Sequence, residues 1–256
     1  MLSVATWNVN SLNARLPLVE RLIEEIEPDV LALQEIKMEN EKFPVNFFRE
    51  RGYESVFKGE KGYNGVAIVS KFEIISSDEN FEKVEGKQKR ILLAEIEGLK
   101  IINAYFPHGK MIGSPSFEYK IGFIEGLRGY ITENFGKKEN LLLVGDFNVA
   151  PEEKDVYAPE IMQYSIGFSR EERDAISRLK NAGFVDIFRL HNKKEGEYTW
   201  WDYRSNSFKR NAGMRVDHIW GFSGVAERSR GCFIYKRMRE MPRPSDHAPV
   251  IALFEI

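Results

Sequence analysis

Asp146 and Asn148 follow a run of four apolar residues, Leu141-Leu142-Leu143-Val144, and one glycine, Gly145. The apolar run reads as a strand buried on both faces. Two positions apart on an extended chain, the carboxylate and the carboxamide leave the same face. Such groups are costly at the end of a buried strand unless they have partners. Capping of the next turn would explain them as plainly. The rest of the chain repeats the arrangement: Asn8, Glu35, Asp217, and Asp246 with His247 also fall at or beside predicted strand ends. Each has an ordinary reading alone; Glu35 could pair with Lys37, Asp217 with Arg215, and His247 could be a satisfied core histidine. Together they form a set of oxygen donors suited to Mg²⁺ or Mn²⁺. With four histidines and one cysteine in the chain, zinc is a poor fit.

The elements that must carry these residues follow from periodicity. Leu2 to Val9 reads as a strand. Leu16, Val19, Leu22, Ile23 and Ile26 recur at helical spacing, and Pro28 stops that helix. Asp29 to Leu33 is a second buried strand. The β–α–β order predicts parallel neighbours, with Asn8 and Glu35 at one sheet edge. Further strands are expected at Tyr53 to Phe57, Gly65 to Ser70, Ile91 to Ile96, Lys100 to Tyr105, Phe184 to Phe188, Arg215 to Trp220, Arg228 to Tyr235 and Ala248 to Glu255. Phe43 to Arg51 reads as a short helix, and Phe117, Ile121, Ile124, Leu127 and Ile131 mark a second long one. Ser169-Arg170-Glu171-Glu172 is a capping box that opens a third. Two echoing halves packed face to face, as one domain over 1–256, fit this order.

Composition is that of an ordinary globular protein, 43% hydrophobic and 30% charged. No run is long enough for a membrane span, and no signal peptide is expected. Cys232 reads as a core residue, which suits a reducing compartment. The net charge of -2 gives a nucleic-acid partner no general attraction. A local basic face including Lys209, Arg210 and Arg215 would have to serve instead.

Trp7-Asn8-Val9-Asn10, Leu33-Gln34-Glu35-Ile36-Lys37, Tyr105-Phe106-Pro107, Gly145-Asp146-Phe147-Asn148, Thr199-Trp200-Trp201-Asp202-Tyr203-Arg204, Arg215-Val216-Asp217-His218 and Ser245-Asp246-His247 resemble the motifs of the exonuclease III family of apurinic/apyrimidinic (AP) endonucleases. They occur in that family's order and cover essentially the whole chain. The resemblance implies a DNase I-like fold, a four-layered α/β sandwich of two mixed sheets flanked by helices. It also implies Mg²⁺- or Mn²⁺-dependent cleavage of duplex DNA 5′ to an abasic site, with some 3′→5′ exonuclease or 3′-end cleaning activity.

Under that resemblance Glu35 is the first candidate metal ligand, with Asn8 and Asp246 near it. Asp146, held by Asn148, would orient or deprotonate the attacking water. His247 would bind a phosphate oxygen, and Asp217 would fix its ring and favour the imidazolium. Tyr105 would donate to the phosphate or supply a proton. By family position Trp200, Met214 and Val216 line the abasic pocket, where Met214 replaces a commonly aromatic wall. Tyr63 and Asn64 could grip the DNA backbone, with surface solvation as the alternative. His108 replaces an Asn or Gln and could still contact phosphate, ranked below His247, while His191 and His218 read as structural. A monomer working in the cytoplasm or with the nucleoid (the nucleus in a eukaryote) is expected. Two other readings use the same residues: a phosphoinositide or sphingomyelin phosphodiesterase, and a nucleic-acid-binding module without catalysis. The first lacks a membrane-facing apolar loop; against the second, every catalytic position is filled by a competent residue.

Overall fold

The computed structural model describes residues 1–78 and 80–256. In chain order the strands are β1 (Leu2–Asn8), β2 (Val30–Gln34), β3 (Glu54–Lys58), β4 (Val66–Ser70), β5 (Ser76–Asp78), β6 (Ile91–Ile96), β7 (Leu99–Tyr105), β8 (Leu141–Asp146), β9 (Phe184–Asp186), β10 (Asp217–Phe222), β11 (Ser229–Ile234) and β12 (Val250–Phe254). They form two six-stranded sheets, ordered β11-β12-β1-β2-β4-β3 and β5-β6-β7-β8-β10-β9. Each sheet has one parallel pair near its centre, β1 with β2 and β7 with β8. Those are the two β–α–β units, crossed by the helices Leu12–Ile26 and Pro115–Asn134.

Alternation along the strands builds the layers. Val4, Val30 and Ala32 face Leu92, Ile101, Leu142 and Val144 between the sheets. The intervening Ala5, Trp7, Leu31 and Leu33 pack outward on Leu18, Val19, Leu22 and Ile23 of the first helix. On the far side Ile102, Leu141 and Leu143 pack on Phe123, Ile124, Leu127 and Ile131, and on Ala175, Ile176 and Leu179 of the helix Arg170–Lys180. Helices, sheet, sheet and helices make the expected four layers. The capping box is formed: Ser169 accepts from the Glu172 amide, and Glu172 accepts from Ser169, a device worth about 1 kcal/mol.

Register brings the strand ends together. Asn8 pairs with Gln34, so Glu35 follows at the same edge. In the other sheet Tyr105, Asp146 and Asp217 lie in one row across β7, β8 and β10. Strand β12 lies antiparallel on β1, Val250 opposite Thr6, which carries residues 245–247 to that same edge. Two elements differ from expectation. The strand predicted at Phe184 to Phe188 stops at Asp186, whose side chain caps a short helix, Ile187–His191, by accepting from Arg189 N. The predicted strand from Arg215 begins only at Asp217.

Candidate active site

The backbone turns sharply where β1, β2 and β8 end. Asn10, Glu35, Lys37 and Asn148 all have positive φ, between 45° and 53°. Asparagine tolerates this region, but for glutamate it is uncommon. Gly145 serves a different need. A Cβ there would stand 2.0 Å from the carbonyl oxygen of Ala104, so only glycine lets β8 lie this close to β7.

Asn8 is the hub of the carboxylates. Its Nδ2 donates to Glu35 Oε1 (2.8 Å) and to Asp146 Oδ2 (2.9 Å). Its Oδ1 accepts from the Asn10 amide, which fixes the orientation of the carboxamide. Asn8 therefore holds two carboxylates with its donors, and its oxygen accepts from the backbone. Glu35 also pairs with Lys37 (2.7 Å). Burial works to raise the Glu35 carboxyl, but Lys37 and the Asn8 hydrogen bond outweigh it and hold the group below its ordinary value.

Asp146 is buried and accepts from the Asn148 amide (2.8 Å) and, at 3.3 Å, from Asn148 Nδ2. Burial pushes its carboxyl up to about 7, against the pull of His247 and with the help of Asp217. That is the range of a general base at neutral pH. His247 Nδ1 bonds Asp217 Oδ2 at 2.9 Å, and its Nε2 lies 3.8 Å from Asp146 Oδ2. Burial would lower this imidazole, yet Asp217 and Asp146 overcome it and raise it to about 10. His247 is thus an imidazolium at neutral pH. The Tyr105 phenol, raised by burial, Glu35 and Asp146, stays a proton donor.

Glu35, Asp146 and His247 each bring one candidate ligand atom, and these lie within 4.8 Å of one another. The two carboxylates are hard donors, and His247, held toward its imidazolium by Asp217 and Asp146, is the least open of the three to a cation. The site chemistry fits a divalent ion of the magnesium type. Asp246 stands apart from this trio. Its oxygens accept from Trp200 Nε1 (3.0 Å) and Asn10 Nδ2 (2.9 Å).

A cavity of about 180 Å³ opens beside these groups. Glu35, Tyr105, His108, Asp146, Asn148 and His247 line its polar side. Trp200, Met214 and Val216 line the apolar side, joined by Met162, Ile166 and Gly167, which carried no motif in the sequence. A second hollow, about 360 Å³, shares Tyr105 and His108 and is bordered by Tyr63 and Asn64. Tyr63 is 70% exposed, and Asn64 donates to Glu60.

Arg215 requires a correction. Expected on a DNA-facing basic surface, it is 1% exposed and sealed behind the pocket. Its guanidinium pairs with Asp155 (2.7 Å) and Asp186 (2.8 Å) and contacts His218 Nδ1. Asp155 and Asp186 thus take the place that Asp217 could have filled. His218 Nε2 bonds the Val149 carbonyl, and His191 bonds Ser229 away from the site.

Comparison with known proteins gives this edge of the fold a context. The endonuclease/exonuclease/phosphatase family model matches residues 5–247. Exodeoxyribonuclease III of Haemophilus influenzae is 35% identical over 98% of both chains. An AP endonuclease of Archaeoglobus fulgidus superposes with a TM-score of 0.97, at 37% identity and over 100% of both chains. A 3′ phosphatase from Neisseria, solved with a product DNA hairpin, reaches 0.96 at 36% identity, again over 100% of both chains. With its four layers, its gathered strand ends and these full-length likenesses, the chain belongs to the endonuclease/exonuclease/phosphatase family.

Proposed function

We propose that the protein is a DNA-repair nuclease that hydrolyses the phosphodiester 5′ to an abasic site in duplex DNA and also trims 3′ ends. The observation that carries this reading is the small apolar cavity set directly against Asp146 and His247. An abasic sugar rotated out of the duplex has no base to read and needs such a pocket. The names of the relatives, an exodeoxyribonuclease, an AP endonuclease and a 3′ phosphatase, support the same substrate.

In this reading Asp146 orients the attacking water and takes its proton, with Asn148 and Asn8 holding the carboxylate. His247, kept charged by Asp217, neutralises a phosphate oxygen. Tyr105 donates a hydrogen bond to another. Trp200, Met214 and Val216 enclose the sugar, and the hollow beside Tyr63, Asn64 and His108 takes the flanking backbone. Glu35 would hold Mg²⁺ or Mn²⁺, at the space it shares with Asp146. Bound there, the ion would act as a Lewis acid on the phosphate. We read the working unit as a monomer acting where the DNA is. Among the described residues no helix is long and apolar enough to cross a membrane.

The test is cleavage of a duplex with one abasic site, alongside inositol phosphates and sphingomyelin, with and without EDTA. Incision 5′ to the site, abolished by EDTA and crippled by Glu35→Gln, is expected. Cleavage of a lipid substrate in place of DNA, or full activity in metal-free buffer, would overturn the proposal.

A further inference from the structure

Lys120 and Glu172 are both 0% exposed and lie behind the pocket, unused by the chemistry above. A lysine in the buried stripe of the helix Pro115–Asn134 is expensive unless every proton is placed. All three are placed here. Lys120 Nζ donates to the Asn148 carbonyl (2.7 Å), to the His108 carbonyl (3.2 Å) and to Glu172 Oε1. Glu172 in turn accepts from Gly167 N at 2.9 Å, and from Ser169 N (3.0 Å) and Oγ (2.8 Å). One ion pair therefore ties three separate loops together, and His108, Asn148 and Gly167 each line the cavity. Gly167 sits against the pocket wall. Its φ is +90°, and a Cβ there would stand 2.9 Å from Met214 Cε.

We infer that the Lys120–Glu172 pair is a positioning device that sets the width of the nucleotide pocket, and so which nucleotide the site accepts. The capping role of Glu172 needs only its bond to Ser169; its bonds to Gly167 and to Lys120 are additional. The inference rests on the function proposed above, because it is the reacting nucleotide that is selected. Neither residue touches that nucleotide. They act through Asn148, which holds Asp146, and through Gly167, which closes on Met214.

The experiment uses Lys120→Met/Glu172→Gln, which removes both charges at once, and Lys120→Arg, which keeps them. Single-turnover cleavage is followed on a duplex with a tetrahydrofuran abasic analogue and on one with a recessed normal 3′ end. Amide hydrogen exchange at Gly167 and Ser169 is read in the free protein. The neutral double variant should melt cooperatively, exchange faster at Gly167, and lose about tenfold to a hundredfold on the abasic duplex. It should lose less on the normal end, so the preference narrows, while Lys120→Arg restores most of it. Should the double variant not fold, Glu172→Asp gives the same reading, since it keeps both charges and shortens the reach to Gly167. A folded variant with the wild-type preference, or equal losses on both substrates in step with the melting temperature, overturns the inference. A wild-type chain inert on both duplexes would instead sink the functional reading and this inference with it.

Discussion

Two buried ionic clusters lie side by side, separated by one residue of one segment, and they are built on opposite principles. Around Arg215, two arginines face two aspartates. Arg215 and Arg189 share Asp155, Arg215 also holds Asp186, and His218 fills the remaining contact. Around Asp217, two aspartates share one imidazolium, and Asp217 Oδ1 is buried with no hydrogen-bond partner among the described residues. The first cluster is balanced in charge and closed. The second is short of positive charge and has acceptors to spare. A balanced buried cluster fixes structure, and one left unbalanced has an affinity for something still to come, here a proton or a cation.

The widest separation between the clusters should come from Asp146→Asn. Turnover should fall roughly 10²-fold or more, as for loss of a general base, while the melting temperature hardly moves. A variant that cuts like wild type would take Asp146 out of the mechanism. Arg215→Met should do the reverse. It leaves Asp155 and Asp186 short of a partner, and losing one member of a buried pair costs about 3–5 kcal/mol. Denaturant unfolding should show that loss, with turnover per folded molecule unchanged within a few fold. If turnover collapsed and stability held, the two clusters would be one.

Acid should find the closed cluster first. His218, lowered to about 3 by burial and by Arg215, is neutral in the folded protein. Its folded value lies below its ordinary 6.5, so the unfolded chain takes the proton first. The stability it contributes is complete above about pH 6.5 and drains away as the pH falls toward 3. Asp155 has its carboxyl held at about 2 by its arginines, against burial, and its share is lost only below its ordinary 3.8. In unfolding followed from pH 7 to 3, the share of His218 alone should fall by on the order of a few kcal/mol, while Asp146, whose raised carboxyl takes its proton first in the folded protein, gains stability over the same range and offsets part of that loss. His218→Gln should flatten that slope, and an unchanged slope would remove His218 as its source. The smallest effect is expected from Trp200→Phe. It deletes the 3.0 Å hydrogen bond to Asp246 but keeps an aromatic wall. One such bond is worth about 1 kcal/mol net, and Asp246 keeps its bond from Asn10, so abasic cleavage should drop no more than roughly tenfold, with stability intact. Single-turnover rates identical to wild type would show that Asp246 needs no anchor.

Much of the open cluster was legible in the sequence, because its residues punctuate buried strands. Asn8, Glu35 and Asp146 are polar where an apolar run stops, Asp217 is polar where one begins, and two β–α–β units explain why the edges of the first three meet. The closed cluster was not, since Asp155, Asp186 and Arg189 sit in a 3-10 turn, at the end of a short strand and in a short helix, with nothing to mark them as buried. Arg215 was misread by its neighbourhood of basic residues, although alternation spoke against that reading. Met214 and Val216 were both assigned to the pocket, so on an extended chain the residue between them must face away. Lys120 also left a signal, standing three after Phe117 and four before Ile124 in an apolar stripe. Met162 and Ile166 left none.

Strand β12 has a consequence for the order in which the molecule is made. It lies between β11 and β1, in the interior of its sheet, and the residues just before it are Asp246 and His247. Until residues 245–254 have emerged from the ribosome, the first sheet has a gap beside its opening strand, and the edge lacks its imidazolium. A growing chain is therefore without His247 until synthesis is nearly complete, and the strand edge is completed in one late step of long sequence separation. Stalled chains ending at residue 244 should leave abasic duplex uncut, and cutting by such chains would break this link between topology and timing.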